Sequence, residues 1–419
     1  MQRTFNPFII FVACLFLYGN SAADDFEDVK IHGFISQGFL KTDSNNYLAE
    51  TDEGTFQFNE LGINFSSRIS HKLRIGIQLF AKDLGTDGND EIIVDWANAD
   101  YWFREWFGIR IGMNKMPYGF YNKNRDIDML RTWVLLPQGI YNELLRDLVG
   151  TFKGISLYGT FVHKKIGSIS YEGQFGKANI DIGKGFEQAV EYWWRNLELD
   201  LTELKSYPST TFSVLWRTPI EGLRTQYSYF YFPINYYGEF KSAVAKFQNV
   251  DYLELDGVLT GFVFSVEYMI NKFSIVGEFT RAPFAADFDI GSGFEKVRTL
   301  PVEAFYISFI YSITDYFDAA ITYSEYYPDR HNKNGKDLWE DQQYTRAFLL
   351  KGFPRNNPDF TAWLKTTTGS VSLDLNENWT AKIEVSYNDG FGNYTSAYNE
   401  EGSLKRYWFL YAAKLSFMF

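Results

Sequence analysis

The chain of 419 residues contains almost no cysteine and little histidine, which removes several kinds of chemistry at once. Cys14 is the only cysteine, and it lies in a segment that we predict to be removed during export. Disulfides, thiolate metal sites and cysteine nucleophiles are therefore excluded from the mature protein. His32, His71, His163 and His331 are scattered without the spacing of metal ligands. We expect no metal site and no cofactor.

Long hydrophobic runs and excess positive charge are also missing. Beyond residue 23 no apolar run reaches the roughly 18 residues that a membrane-spanning helix needs, so no helical span is expected. The net charge of -12 argues against nucleic acid as a partner. No G-x-S-x-G stretch is present, and the one histidine that directly follows a serine, His71 after Ser70, lies at a predicted short turn. The sequence therefore predicts a protein that is not an enzyme.

The first 23 residues have the organisation of a secretory signal peptide. Arg3 is followed by the apolar run 7–18 and then by small residues at 21–23. We place cleavage after Ala23, with Ala22 as the close alternative. The mature domain then covers residues 24–419, and a protein exported in this way can reach the bacterial cell envelope.

Aromatic residues are abundant, yet the chain is not apolar overall. Phe, Tyr and Trp make up 19% of the residues, while the mean hydropathy is only -0.25. A transmembrane β-barrel combines these two properties, because aromatic girdles surround its lipid-facing exterior while its lumen is polar. A soluble β-sandwich or propeller is the alternative, and it does not explain the signal peptide.

The last strand of the chain supports the barrel. Residues 407–419, YWFLYAAKLSFMF, place an apolar face at every second position and end on Phe419. Bacterial outer-membrane barrels end in this way, and the barrel-assembly machinery recognises that strand. We therefore predict Phe417 and Phe419 to be the assembly signal.

Short turns and long polar segments alternate along the mature chain. Tight turns are predicted at residues 70–72, 104–107, 163–167, 219–222, 270–272, 314–316 and 376–379. Long segments are predicted at residues 42–54, 84–90, 115–151, 180–208, 235–257, 283–301, 328–360 and 388–404. This pattern predicts an all-β, transmembrane antiparallel barrel of about 16 strands with short periplasmic turns and long external loops.

One aromatic stretch leaves its orientation open. Tyr227, Tyr229 and Tyr231 alternate with Phe230 and Phe232 within a predicted strand. An interface girdle is the favoured interpretation. A track of lumen-facing aromatics for sugars is the alternative, because the sequence does not tell which face points inward.

The third long segment, about residues 115–151, differs from the others because it is rich in large apolar side chains. An apolar patch of that size on the cell surface is a liability, so we predict that this third loop folds inward against the barrel wall. Its charged residues are then candidates for a pore constriction that selects solutes by charge and size. These candidates are Lys115, Lys123, Arg125, Asp126, Asp128, Arg131, Glu143, Arg146 and Asp147. Structural ion pairs that pin the loop to the wall are the alternative.

Residues 112–159, beginning GMNKMPYGFYNKNRD and continuing IDMLRTWVLLPQGIYN, resemble the constriction-loop region of bacterial outer-membrane porins. The wider group is that of the sixteen-stranded porins, including the phosphate-selective porin O and P family. The resemblance implies a homotrimer in the outer membrane of a Gram-negative bacterium. Phosphate is not implied as the solute, because the arginine and lysine ladder of the phosphate-selective members is not matched here.

The resulting functional hypothesis is a porin that lets small hydrophilic solutes or ions diffuse passively through a water-filled channel narrowed by the third loop. Its expected partners are outer-membrane lipid, these solutes and the barrel-assembly machinery. The alternative is a non-conducting barrel, a surface adhesin or structural anchor whose lumen is plugged by the third loop.

Overall fold

The computed structural model describes residues 29–85, 88–143, 145–180, 190–191, 194, 197–247, 250–291, 295–336, 358–392, 399 and 402–419. The side chains of residues 147, 247, 288 and 295–298 are not part of that description. The predicted signal peptide, residues 1–23, lies outside the described residues.

Antiparallel strands form one continuous sheet that closes on itself. The segments are β1 (Lys30–Thr42), β2 (Phe58–Ser70), β3 (Leu73–Leu84), β4 (Ile93–Arg104), β5 (Phe107–Lys115), β6 (Thr151–His163), β7 (Gly167–Ala178), β8 (Leu199–Ser206), β9 (Ser209–Arg217), β10 (Leu223–Phe240), β11 (Tyr252–Ile270), β12 (Phe273–Asp289), β13 (Glu295–Thr314), β14 (Phe317–Tyr327), β15 (Leu364–Asp374), β16 (Trp379–Gly390) and β17 (Tyr407–Met418). From β1 to β7 and from β9 to β17, each segment pairs with the next one along the chain; β7 pairs with β9, and β1 pairs with β17 to close the barrel.

Two of these segments are halves of one barrel strand. β8 pairs with the distal part of β10, from Ile234 to Phe240, whereas β9 pairs with its proximal part, from Arg224 to Tyr231. Pro208 lies between the two halves and has no N–H to donate to the ladder. The predicted antiparallel barrel of 16 strands is thus confirmed.

The alternation of side chains separates a polar inner wall from an apolar exterior. On β16, Lys382, Glu384 and Ser386 are buried toward the lumen, while Ile383 and Val385 are exposed on the outside. Every second residue of a strand faces the same side, so this separation extends along the whole strand. The outside of the barrel is the surface that meets lipid in an outer-membrane barrel.

The aromatic stretch on β10 has a defined orientation. Tyr227, Tyr229 and Tyr231 are exposed on the outer face, whereas Phe230 and Phe232 are buried on the inner face. The tyrosines therefore do not form a lumen-facing track, and an interface girdle remains the prediction for them.

The seven tight turns lie where the sequence predicted them, but four strands are longer than expected. β10 and β11 run into the predicted loop 235–257, and β12 and β13 run into the predicted loop 283–301. The added parts of β10, β11 and β12 contribute to a second hydrophobic cluster, separate from the one around the third loop, which includes Tyr236, Leu253 and Leu255. Strand segment β8 likewise occupies the end of the predicted loop 180–208.

Helical structure is sparse in the described residues. It comprises α1 (Arg146–Gly150), α2 (Ala243–Phe247) and the 3-10 turns Asn122–Asn124, Asp128–Leu130 and Asp359–Ala362. Within the described ranges no helix is long and apolar enough to cross a membrane. The connection between β5 and β6 contains α1 and two of the 3-10 turns, and it lies inside the barrel.

Candidate functional site in the barrel lumen

The third loop, residues 116–150, packs its apolar side against the inner wall. Trp133 and Tyr141 are fully buried, and their rings meet Tyr306 of β13 and Tyr121 of the loop at centroid distances of 6.1 and 6.0 Å. The indole N–H of Trp133 donates to Oγ1 of Thr322 on β14 at 2.8 Å. Large aromatic side chains bury about 150–250 Å² each, so hydrophobic burial holds much of this segment.

Glu278 on β12 anchors the loop through its carboxylate. Its oxygens accept hydrogen bonds from the backbone N–H of Phe120 at 2.8 Å and from the hydroxyl of Tyr141 at 2.6 Å, both in the third loop. The hydroxyls of Tyr306 and Ser265 donate to the same carboxylate from the wall at 2.9 and 2.5 Å. A buried carboxylate with four donors is well satisfied, so the loop has a defined position at β12.

A second anchor lies further along the wall, on β16. The Nζ of Lys382 donates to the backbone carbonyls of Asp128 and Trp133, the latter at 3.1 Å. The next inward-facing side chain, Glu384, accepts the backbone N–H of Val134 at 2.9 Å. Charged side chains thus satisfy buried backbone groups of a loop that has no ladder of its own.

Ion pairs connect the loop to the β2–β5 side of the wall. The guanidinium of Arg146 lies 2.6 Å from Oε1 of Glu60 and 3.5 Å from Oε2 of Glu143, and it also contacts Asp126. Asp126 in turn lies 2.7 Å from Nζ of Lys115. Arg146 is therefore the hub of a buried network in which each charge has a partner of opposite sign.

The network continues to the last strand of the barrel. The carboxylate of Asp128 lies 2.7 Å from Arg131 and 2.9 Å from Nζ of Lys414, and it accepts the hydroxyl of Ser416 at 2.6 Å. Lys414 also lies 2.5 Å from Glu60. The loop is thereby linked to β2 and to β17, the two strands that flank β1.

The predicted constriction residues can now be placed. Eight of the nine have described side chains, and all eight take part in ion pairs: Lys115, Lys123, Arg125, Asp126, Asp128, Arg131, Glu143 and Arg146. The side chain of Asp147 lies outside the description. Lys123 is 39% exposed, whereas none of the other seven side chains exceeds 13%. Arg125 pairs with Glu143 at 2.8 Å rather than with its sequence neighbour Asp126.

Two loop carboxyls keep a lowered pKa inside this network. Burial by itself would raise the pKa of Asp126, but Lys115 and Arg146 beside it outweigh burial and hold that pKa below its ordinary value. Burial also opposes ionisation of Asp128, yet the neighbouring cations, Lys414 first among them, lower its pKa to about 2. Both groups therefore remain ionised well below neutral pH.

We expect the third loop to stay docked from neutral pH down to about pH 4 and to loosen between about pH 4 and pH 2. A carboxyl whose pKa is lowered by folding stabilises the folded state above its unfolded value, near 3.9 for Asp. That stabilisation is lost as the pH falls through the folded value, about 2 for Asp128. Cleavage of the loop by an acid-stable protease in detergent-solubilised protein measures the transition. A transition already complete at about pH 6, where histidine titrates, would contradict this assignment.

A wide cavity lies on the short-turn side of the third loop. Its volume is about 730 Å³, and its lining includes Arg74, Trp96, Arg110 and Lys123. We call this cavity the vestibule. Between the loop and the wall, by contrast, two cavities measure only about 50 and 20 Å³, which is room for a few water molecules.

Comparison with known proteins supports this architecture at the level of fold. No family model and no curated protein sequence matches the chain. OmpT, an outer-membrane protein of Vibrio cholerae, is similar in structure, with 10% identity, a TM-score of 0.55 and coverage of 95% of this chain and 99% of that chain. OmpF of Salmonella typhi, solved with daunomycin, has 12% identity, a TM-score of 0.53 and coverage of 93% and 97%. This chain has the fold of the outer-membrane porins.

A porin of known charge preference is also similar. The anion-selective porin from Comamonas acidovorans shares 8% identity and a TM-score of 0.50, with 94% of this chain and 99% of that chain covered. At such identities the similarity concerns the porin fold alone. It does not single out the phosphate-selective group that the sequence resembled.

The wall residues that hold the loop of this porin-fold barrel were missed at the sequence level. They are Glu60, Glu278, Lys382, Glu384 and Lys414, all buried on the inner face. The sequence does contain a signal for them. Each is a charged residue in a strand of alternating side chains, at a position between the apolar residues that face lipid. The charges that matter for this site therefore lie in the strands as well as in the long loop.

Proposed function

We propose that this protein is an outer-membrane porin of a Gram-negative bacterium that lets small hydrophilic solutes or ions diffuse passively across the membrane. The observation that carries the proposal is a closed 16-strand barrel with a polar inner wall, a size at which barrels leave an aqueous channel. The similarity in fold to outer-membrane porins supports it. Transport of this kind needs no enzyme activity and no cofactor.

In this proposal the third loop narrows the channel. The loop leaves the wall between β5 and β6 and is anchored to β12 by Glu278 and to β16 by Lys382 and Glu384, so it extends across the lumen. Most of its charges are paired and buried, so they hold the loop in place. Lys123 is the candidate with the most exposed side chain and lines the vestibule, where passing ions would meet its field.

A second candidate function follows from that same burial. Seven of the predicted constriction residues have side chains no more than 13% exposed, which suits a plug as well as a constriction. The alternative is therefore a non-conducting barrel that serves as a surface adhesin or structural anchor. The two functions differ in whether the wild-type protein conducts.

The last residues of the chain bear on how the barrel is assembled in the membrane. Phe419 pairs with Gly33 through two backbone hydrogen bonds of 3.0 Å, so the final residue helps to close the barrel. We propose that Phe417 and Phe419 also carry the signal for the barrel-assembly machinery, after removal of residues 1–23. A homotrimer embedded in outer-membrane lipid is the proposed assembled form.

Single-channel current of the refolded protein in a planar bilayer tests the proposed function. We expect discrete current steps, grouped in threes for a trimer, and a reversal potential under a salt gradient that gives the charge preference. Circular dichroism and the heat-dependent gel mobility of barrels verify that the protein is folded. Folded protein without any conductance would contradict the porin and favour the plugged anchor.

A further inference from the structure

The vestibule has the size and position of a solute-binding site. At about 730 Å³ it lies within the range of roughly 300–1,000 Å³ that is usual for small-molecule sites. Phe34 and Phe419 from the two ends of the chain line it, as does Asn378 from the turn before β16, so it opens on the short-turn side. A solute can therefore reach it without passing the third loop.

An aromatic ring forms part of its wall. Two ring carbons of Trp96 lie 2.8 and 3.1 Å from the position that a Cβ on Gly76 would occupy. The Trp96 ring therefore occupies the space that a side chain at residue 76 would fill, on the inner face of β3. Trp96 is only partly buried and lines the vestibule. Its free surface offers a platform on which the face of a ring can stack.

Of the lysine and arginine side chains that line the vestibule, three are paired with carboxylates and one, Arg74, is not. Arg110 lies 3.2 Å from Asp100, Lys115 lies 2.6 Å from Asp95, and Lys123 contacts Glu172. Arg74 lines the same cavity and is exposed, yet among the described residues it makes no ion pair and no side-chain hydrogen bond. Its guanidinium is available to a ligand.

The register partners of Arg74 are a second arginine and an aspartate that is already paired. Its register partner on β2 is Arg68, and like charges placed directly opposite each other repel. Its partner on β4 is Asp100, whose carboxylate is already engaged by Arg110 at 3.2 Å and by the hydroxyl of Tyr158. The carboxylate opposite Arg74 in the register is therefore held by other groups.

Arg74 and the glycine against which the Trp96 ring lies are close together on β3. Arg74 and Gly76 point to the same face of β3, two residues apart, which is about 7 Å along a strand. This matches a ring that stacks on Trp96 while a carboxylate attached to that ring meets the guanidinium. The amides of Asn64 and Asn98 also line the vestibule and can bond further polar substituents.

We propose that the vestibule binds small organic anions in which a carboxylate is carried on a flat-faced ring, with Trp96 holding the ring and Arg74 the carboxylate. The inference deepens the proposed porin function by naming a solute class. Aromatic acids and sugar acids share this chemistry, and the experiment separates them.

Titration calorimetry on the folded protein in detergent tests the proposal, with benzoate and glucuronate as ring acids. Benzyl alcohol and glucose are the neutral counterparts, acetate is the ringless acid, and inorganic phosphate is the competing anion. We expect at least one ring acid to bind more tightly than all four comparison compounds. Tighter binding of benzoate identifies aromatic acids as the solute class, and tighter binding of glucuronate identifies sugar acids.

Single substitutions test the separate roles of Arg74 and Trp96. Arg74→Gln should weaken binding of the ring acid about tenfold, because a charged hydrogen bond is lost. Trp96→Leu should weaken it by roughly three- to tenfold, as expected for loss of an aromatic contact, without changing acetate binding. Gly76→Ala keeps both groups but displaces the ring, and should also weaken binding. Arg104→Gln, at the exposed end of β4 and outside the vestibule lining, is the matched control.

No binding of either ring acid, equal binding of acetate or phosphate, or unchanged binding in the Arg74 and Trp96 variants would each overturn the proposal. Because calorimetry needs no current, binding without conductance would contradict only the porin function. Conductance without binding would contradict only this inference.

Discussion

Replacing residues 116–150 by a two-residue Asn-Gly turn should raise the single-channel conductance several-fold. Lys115 and Thr151 are register partners on β5 and β6, so a two-residue hairpin turn can join them without changing the barrel. The loop extends across the lumen from β5 and β6 to its anchors on β12 and β16, and its removal leaves the open interior of a 16-strand barrel. Planar-bilayer recording of the shortened and the wild-type protein, side by side, measures the difference.

A matched deletion separates this effect from a general disturbance of the barrel. The connection between β10 and β11, residues 241–251, packs into the second hydrophobic cluster through Ala245 and Val250 rather than against the third loop. Replacing it by an equally short turn should leave the conductance within about twofold of wild type. If the barrel without its third loop folds but conducts no better than the wild type, the lumen is not the route of transport.

The second large effect is expected from Arg146→Ala, which should detach the β2–β5 side of the third loop. The substitution leaves Glu60, Asp126 and Glu143 near one another without the cation that joins them. Removing one member of a buried ion-pair network typically costs about 3–5 kcal/mol. The loop should then open more often, and the current should become larger and noisier.

A cysteine reporter measures this opening directly, because the only native cysteine, Cys14, lies in the predicted signal peptide. Thr132 is 4% exposed within the loop, so a Thr132→Cys background should react slowly with a maleimide. Adding Arg146→Ala should speed labelling by about 100-fold or more, as a loss of about 3 kcal/mol implies. Arg146→Lys should give an intermediate rate, because the charge remains but the forked geometry is lost.

The control for this prediction is another arginine in an ion pair. Arg281 lies 2.9 Å from Glu303, but its side chain is 47% exposed. Exposed pairs contribute at most about 1 kcal/mol, so Arg281→Ala should leave the labelling rate nearly unchanged. Equal rates in the Arg146 and Arg281 variants would show that the buried network does not hold the loop.

The barrel was predictable because its signals are local. Side chains alternate with a period of two within single strands such as β16 and β17, and each tight turn is a few residues long. The ends of β10 to β13 were not predictable in this way. In the added parts of β10 and β11, Tyr236, Leu253 and Leu255 pack together in one cluster, and that packing joins residues of different strands.

The third loop shows the division between sequence and tertiary structure most clearly. Its composition by itself determined that the segment is too apolar to face water and that it carries charges of both signs. Only the closed barrel decided which charges meet, since Arg146 pairs with Glu60 of β2 and Asp128 with Lys414 of β17. The physical reason is that ion pairs form by distance in space. Residues far apart in the chain become neighbours only once the strands that carry them have closed around the loop.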